Sequence, residues 1–112
     1  MKIEEKRVGS SLLVRILELN IGADRAVAFK ETIGKLIERG ERRIVLDLSS
    51  VEFIDSSGLG AILSVLKRLG KDGELVVCGI TPPVASMFKL TRMDRVFPVH
   101  ETVEEALAAF CQ

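Results

Sequence analysis

Residues 43–60 read RIVLDLSSVEFIDSSGLG, and this segment places a buried strand shortly before a helix. Its first part, residues 43–48, is a short apolar run bounded by charged residues and by Ser49 and Ser50. Such a run predicts a central strand that is buried on both faces. The last part predicts a helix that begins near Ser57, since Leu59 opens an apolar stripe of helical spacing. A buried strand that leads into a helix is typical of an α/β fold.

On both sides of that segment, apolar runs typical of strands alternate with stretches of helical period. The predicted strands are residues 2–8, 11–19, 43–48, 75–78 and 96–99. The predicted helices are residues 23–39, a second from about Ser57 to a turn at Asp72-Gly73, a third opened by Pro82 or Pro83, and a last one that begins at Thr102. This alternation predicts an α/β sandwich in which about four helices pack against a mixed sheet of four to five strands. At 112 residues the chain has the usual size of one domain, so we expect a single domain over residues 1–112.

Charge balance and aromatic content argue against several classes of binding protein. The 16 basic and 16 acidic residues cancel and are interspersed, which argues against a nucleic-acid partner. With no Trp, no Tyr and five Phe, the chain lacks an aromatic platform for single-stranded bases. The longest uncharged stretch, residues 75–88, is shorter than the roughly 20 apolar residues of a transmembrane helix, and no signal-peptide-like apolar region follows Lys2. We expect no membrane insertion and a cytoplasmic location.

Motifs for catalysis and cofactor binding are missing from the sequence. There is no Gly-x-Ser-x-Gly, no Walker-type loop and no Gly-x-Gly-x-x-Gly. His100 is the only histidine and lies far in sequence from Ser56. Asp47 and Asp55 could be taken as paired carboxylates, but Asp47 is better explained as a strand-end residue satisfied by backbone groups. We therefore predict no enzyme activity, no catalytic residue, no metal site and no cofactor.

The two cysteines are Cys78, in an apolar run, and Cys111, next to the last residue. Neither has a second cysteine nearby to form a metal pair or a redox motif. We expect reduced thiols, and a Cys78–Cys111 disulfide is the less favoured alternative in a reducing cytosol.

The polar residues Asp55, Ser56 and Ser57 fall at the predicted N-terminus of the second helix. Unpaired backbone N–H groups and the helix dipole stabilise negative charge there, so a phosphate on either serine hydroxyl is tolerable. Gly58 and Gly60 leave little bulk around those hydroxyls, which lets another protein approach closely. The competing interpretation is that Asp55 or Ser56 simply caps the helix, and the two interpretations are compatible.

Several segments together resemble the STAS family, which is named for sulfate transporters and anti-sigma factor antagonists. The matching segments are Ile44-Val45-Leu46-Asp47-Leu48-Ser49, Phe53-Ile54-Asp55-Ser56-Ser57-Gly58-Leu59-Gly60, Leu90-Thr91-Arg92-Met93-Asp94-Arg95-Val96-Phe97 and Glu104-Glu105-Ala106-Leu107. The likeness covers nearly the whole chain and implies a STAS-like sandwich.

This resemblance implies a partner-switching regulator of transcription. In the antagonist branch of the family, the serine directly after the aspartate is phosphorylated by the anti-sigma factor, an ATP-dependent serine kinase. Here that serine is Ser56, with Ser57 as the second choice. The unmodified antagonist captures the anti-sigma factor and frees a sigma factor, the phosphorylated form lets go, and a metal-dependent serine phosphatase resets the cycle. The residues expected to bind partners are Asp55, Ser56, Ser57, Gly58, Leu59 and Asn20.

Two positions depart from the family pattern. Many members carry an aspartate at the entrance to the first helix where this chain has Asn20, whose simplest role is that of a cap or turn residue. Arg92 stands where the family often has glycine, a change expected to affect only a surface turn. The alternative function implied by the family is a STAS scaffold subunit that docks on the ATPase of a lipid-transport system, or joins a signalling assembly, without being phosphorylated.

Overall fold

A mixed five-stranded sheet lies at the centre of the computed structural model, which describes residues 1–110. The strands are β1 (Ile3–Val8), β2 (Ser11–Ile16), β3 (Asn20–Ile21), β4 (Arg43–Asp47), β5 (Phe53–Ile54), β6 (Glu74–Cys78) and β7 (Val99–His100). The order in the main sheet is β1-β2-β4-β6-β7, with β1 antiparallel to β2 and the other pairs parallel. β3 and β5 form a separate two-stranded parallel ladder. The predicted mixed sheet is therefore confirmed.

Four helices cover the two faces of this sheet within the described residues. They are α1 (Ala23–Glu38), α2 (Ser56–Leu69), α3 (Pro82–Leu90) and α4 (Val103–Ala109). Strand alternation divides the core, because Ile44 and Leu46 of β4 pack into the cluster that contains α1, α2 and α3 residues, whereas Val45 packs with Ala106 and Phe110 near α4. The predicted number and position of the helices are confirmed.

The region after α3 differs from the sequence prediction of a strand over residues 96–99. Residues Met93–Arg95 form a 3₁₀ turn entered from Arg92, whose φ is 60°, and the strand comes later, at β7. Phe97 is buried, and its ring centroid lies 6.2 Å from that of Phe88 on α3. Phe97 thus packs into the core beneath α3, and of the predicted strand only Val99 joins the sheet.

The second strand is shorter than predicted, and α2 begins slightly earlier. β2 ends at Ile16, and residues 17–19 lead into the short β3. α2 begins at Ser56, one residue before the predicted start. Thr102, where the last helix was predicted to begin, is the N-cap of α4, and its hydroxyl oxygen accepts a hydrogen bond from the Glu105 N–H at 3.1 Å.

Cys78 is a free thiol buried on β6, and this burial raises its pKa to about 12. The thiol is therefore protonated and unreactive at neutral pH. Cys111, the partner in the less favoured disulfide, lies outside the described residues. None of the helices within residues 1–110 has the length and apolar character needed to cross a membrane.

Candidate functional site

Of the two residues that the sequence offered as the cap of the second helix, Asp55 takes that role. Asp55 is the N-cap of α2, and its carboxylate oxygen Oδ1 accepts a hydrogen bond from the Gly58 N–H at 3.0 Å. Ser56 is the first helical residue and is exposed, and its hydroxyl makes no hydrogen bond to another residue in the range 1–110. Capping therefore explains Asp55 and leaves Ser56 unexplained by local structure.

The second oxygen of the same carboxylate reaches a different helix. Asp55 Oδ2 accepts from the Ala23 N–H, the first residue of α1, at 3.1 Å. The preceding residue, Gly22, is the N-cap of α1, and it has no side chain that could accept a hydrogen bond from the helix. One carboxylate thus satisfies N–H groups at the starts of both α1 and α2, and it fixes the two helix N-termini beside each other.

The β3–β5 ladder brings Asn20 to the same place. Asn20 lies opposite Phe53 in the parallel register, and Phe53 is two residues before Asp55 in the chain. The Asn20 side-chain oxygen accepts from the Gly22 N–H at 3.3 Å, which is the geometry of a turn residue at the entrance to α1. The cap-or-turn role considered for Asn20 is confirmed, and its loop lies next to the aspartate that caps α2.

Gly58 and Leu59 were predicted to bind partners, but both are buried in this structure. A Cβ atom on Gly58 would lie 2.0 Å from the backbone oxygen of Ile21 and 2.8 Å from Ile54 Cγ1, so only glycine allows α2 to start this close to β3. The Leu59 side chain is 1% exposed and belongs to the core. Their visible contribution is to position α2, whereas Asp55, Ser56 and Ser57 form the accessible part of the site.

Apart from the carboxylate of the capping Asp55, the charge distribution along α2 favours an anion at Ser56. The first turn of α2 carries no acidic residue, and the last turn carries Lys67 and Arg68. With the Gly58 N–H bonded to Asp55, the N–H groups of Ser56 and Ser57 remain without an intrahelical acceptor. The positive end of the helix dipole therefore lies at the exposed hydroxyls of Ser56 and Ser57.

Two large apolar side chains beside the site were missed by the sequence analysis. Leu19 is 72% exposed and Phe53 is 55% exposed. The Phe53 N–H donates to the Leu19 backbone oxygen at 3.1 Å, so the two residues are neighbours across the chain segments that carry β3 and β5. The only sequence signal was the short apolar pair Phe53-Ile54, which does not show which of its two members faces solvent.

Asp47 does not take part in the site. Its Oδ1 accepts from the Ser49 N–H at 2.9 Å and its Oδ2 accepts from Arg15 Nε at 3.0 Å, so this 2% exposed carboxylate is satisfied at the end of β4. The hydrogen bond to Asp47 raises the pKa of Arg15. The prediction that backbone groups satisfy this strand-end residue is confirmed for the Ser49 N–H, whereas the second partner is the Arg15 side chain. Within residues 1–110 no group of three or more His, Cys, Asp or Glu side chains is arranged to hold a metal ion.

Comparison with known proteins identifies the family. The family model of the STAS domain matches residues 5–106 of the chain. The chain belongs to the STAS domain family. BtrV of Bordetella bronchiseptica, provisionally named an anti-sigma factor antagonist, is 33% identical to this STAS domain over 111 residues, which covers 98% of this chain and 95% of BtrV.

Solved STAS structures agree with the fold described above. The crystal structure of an anti-sigma factor antagonist from Mycobacterium paratuberculosis superposes with a TM-score of 0.89 at 27% identity, covering 99% of this chain and 94% of that one. An antagonist from Thermotoga maritima, also provisionally named, gives a TM-score of 0.87 at 26% identity over 98% of this chain and 95% of its own. The STAS-like sandwich expected from the sequence is thereby confirmed.

Proposed function

We propose that this STAS domain is an anti-sigma factor antagonist that binds an anti-sigma factor, itself a serine kinase, and releases it when Ser56 is phosphorylated. The names of its relatives support the general role. The observation that carries the switch is the exposed Ser56 hydroxyl, which stands at the start of α2 and is not needed as a cap because Asp55 fills that role.

The local structure can accept the phosphate with little change. A phosphoserine carries about −1.5 to −2 charge at neutral pH and three acceptor oxygens. At Ser56 these oxygens meet the positive end of α2 and the N–H groups that Asp55 leaves unused. The folded state therefore accommodates the modification, and the effect of the phosphate falls on the complex with the partner.

Release follows from the cost of burying that charge between two proteins. A partner surface that fits the neutral hydroxyl leaves the phosphate unpaired, and an uncompensated buried charge weakens binding by several kcal/mol, on the order of a thousandfold in Kd. Asp55, Ser57 and Asn20 lie around Ser56 and complete the contact surface.

The covalent chemistry of this cycle belongs to the partners. The anti-sigma kinase transfers phosphate from ATP to the Ser56 hydroxyl, and a metal-dependent serine phosphatase hydrolyses the phosphoester to restore it. In this proposal the antagonist itself is a non-enzymatic substrate and ligand that works in the cytoplasm with the kinase, the sigma factor and the phosphatase.

Phosphopeptide mapping tests which residue is modified. The chain is incubated with its cognate anti-sigma kinase and ATP, and a single phosphate is expected on Ser56. Ser57→Ala should still acquire one phosphate, on Ser56, whereas Ser56→Ala should not be phosphorylated. A phosphate on Ser57 or Thr91 in the parent chain would overturn the assignment.

Calorimetric titration tests the switch itself. We expect Ser56→Ala to bind the anti-sigma factor tightly in the presence of ATP, and Ser56→Glu to bind far more weakly. Both should melt within a few degrees of the parent, since each changes one exposed position. Equal affinity of the two variants would remove Ser56 from the mechanism. Co-purification with a transporter ATPase in place of the kinase would favour the scaffold role.

A further inference from the structure

Residues 1–110 expose several large apolar side chains, and two of them are linked through their backbones. The large ones are Leu19, Val27, Phe53, Leu90 and Val96. Single exposed apolar residues are normal on protein surfaces. Leu19 and Phe53 differ because their backbones are hydrogen-bonded to each other, through the Phe53 N–H and the Leu19 oxygen at 3.1 Å.

The Phe53 side chain is oriented by buried neighbours. Ile21 and Ile54 lie opposite each other in the β3–β5 ladder and are 0% and 2% exposed. Successive side chains of a strand point to opposite faces, so burial of Ile54 turns Phe53 outward. The Phe53 ring is therefore presented to solvent by a backbone that the core keeps fixed, and little ordering entropy remains to be lost when a partner covers it.

The Phe53 ring also lies beside Asp55, the residue before Ser56. Phe53 Cε2 is 3.6 Å from the position that a Cβ atom on Gly22 would occupy, and Asp55 Oδ2 is 3.3 Å from the same position. The ring edge thus stands next to the carboxylate that caps α2, one residue before the proposed phosphorylation site. The exposed Phe53 ring and the Ser56 hydroxyl therefore belong to one small surface.

We propose that Leu19 and Phe53 form an apolar anchor that inserts into an apolar pocket of the anti-sigma factor, with Ser56 covered by the partner beside that anchor. This inference rests on the proposed function and adds residues to it. Buried aromatic side chains at the centre of an interface typically supply much of its affinity, and the surrounding polar residues exclude water. A phosphate on Ser56 would then place an unpaired charge inside the contact, while the anchor provides the affinity that this charge must overcome.

Affinity measurements with the purified anti-sigma factor used in the mapping experiment test the anchor. Phe53→Ser should weaken binding about tenfold or more, and Leu19→Ser should weaken it in the same direction. Leu90→Ser is the matched control, since Leu90 is 79% exposed at the end of α3, and it should leave Kd within twofold of the parent. Thermal melts of all three variants should stay close to the parent.

A single reporter at position 53 adds a direct measurement, because the chain contains no Trp. Phe53→Trp labelled with 5-fluorotryptophan should lose its ¹⁹F solvent isotope shift when the unlabelled anti-sigma factor is added. Leu90→Trp, labelled in the same way, should keep its shift. Retention of the full isotope shift at position 53 in the complex would overturn the anchor.

The two proposals fail in different ways. If Phe53→Ser binds like the parent while Ser56→Glu binds weakly, the anchor is wrong and the switch stands. If Phe53→Ser weakens binding while Ser56→Glu does not, the switch is wrong and the anchor stands. Failure of the parent chain to bind the anti-sigma factor would overturn both.

Discussion

Gly58 and Gly60 stand two positions apart in the first turns of α2, yet their surroundings differ completely. A Cβ atom on Gly58 would lie 2.0 Å from the Ile21 backbone oxygen, whereas a Cβ on Gly60 would meet nothing within 4 Å. The first glycine is required by the close approach of α2 to β3. No steric contact in the isolated domain requires glycine at position 60, and a glycine inside a helix makes that helix less stable than an alanine would.

Substitution of each glycine by alanine should therefore change stability in opposite directions. Gly58→Ala should lower the free energy of unfolding by roughly 3 kcal/mol, because β3 or α2 must move to relieve the overlap with backbone. Gly60→Ala should raise it by about 0.5–1 kcal/mol through improved helix propensity. Urea unfolding of the two variants beside the parent checks both values. Equal tolerance at both positions would contradict the packing described for α2.

At the scale of elements, α1 and α2 are joined at their N-termini through Asp55. Its two oxygens accept from the Gly58 N–H at 3.0 Å and from the Ala23 N–H at 3.1 Å. An ordinary N-cap serves one helix, as Thr102 does for α4. Asp55 therefore stabilises the relative position of two helices in addition to the end of each.

Three variants separate these contributions. Thr102→Ala removes one cap and should lower the free energy of unfolding by about 1 kcal/mol. Asp55→Ala removes two acceptors and should cost about 2 kcal/mol, while Asp55→Asn should fall between Asp55→Ala and the parent, because one amide oxygen can serve only one of the two N–H groups. Hydrogen exchange at the Ala23 and Gly58 amides should accelerate in Asp55→Ala. Unchanged exchange at Ala23 would disprove the double cap.

The same elements show what sequence reasoning can and cannot predict. α1 and α2 were predictable because each is long enough for a 3.6-residue period to be visible. β3, β5 and β7 have two residues each, too few to show any period, and they form only because distant segments meet. The run near Phe97 was predicted to be a strand because of its apolar residues, but Phe97 itself makes a core contact with Phe88 that no local pattern encodes.

The candidate site was predictable to the extent that it is local in sequence. Asp55 and Ser56 were found because their residue types suit a helix N-terminus, but which of them caps α2 depends on a hydrogen bond that only the folded chain makes. Asn20 was named from family resemblance, and the structure supplies its contact with Gly22. The exposure of Leu19 and Phe53 depends on the pairing of β3 with β5, so no local sequence pattern predicted it.

At the scale of the whole molecule, Glu41 connects the outer hairpin to the helical layer. Its carboxylate, 8% exposed after α1, pairs with Arg7 on β1 and with Arg39 at the end of α1. Hydrogen bonding to Arg7, more than that to Arg39, lowers the pKa of Glu41 in spite of the opposing effect of burial. The edge strand β1, whose other side has no strand partner in the described sheet, is thereby attached to the α1 layer.

This depressed pKa predicts how stability depends on pH. A group whose pKa is lower in the folded than in the unfolded state contributes stability that is complete above the unfolded pKa, roughly 4.3, and is lost as pH falls through the folded value. The parent should therefore lose more stability than Glu41→Gln between about pH 5 and pH 3, although the variant is less stable at pH 7. Glu52→Gln, which removes an exposed carboxylate without an ion pair in residues 1–110, is the control and should follow the parent. Urea unfolding at each pH measures the difference, and parallel pH curves for the parent and Glu41→Gln would show that the Arg7–Glu41–Arg39 cluster does not hold the hairpin to α1.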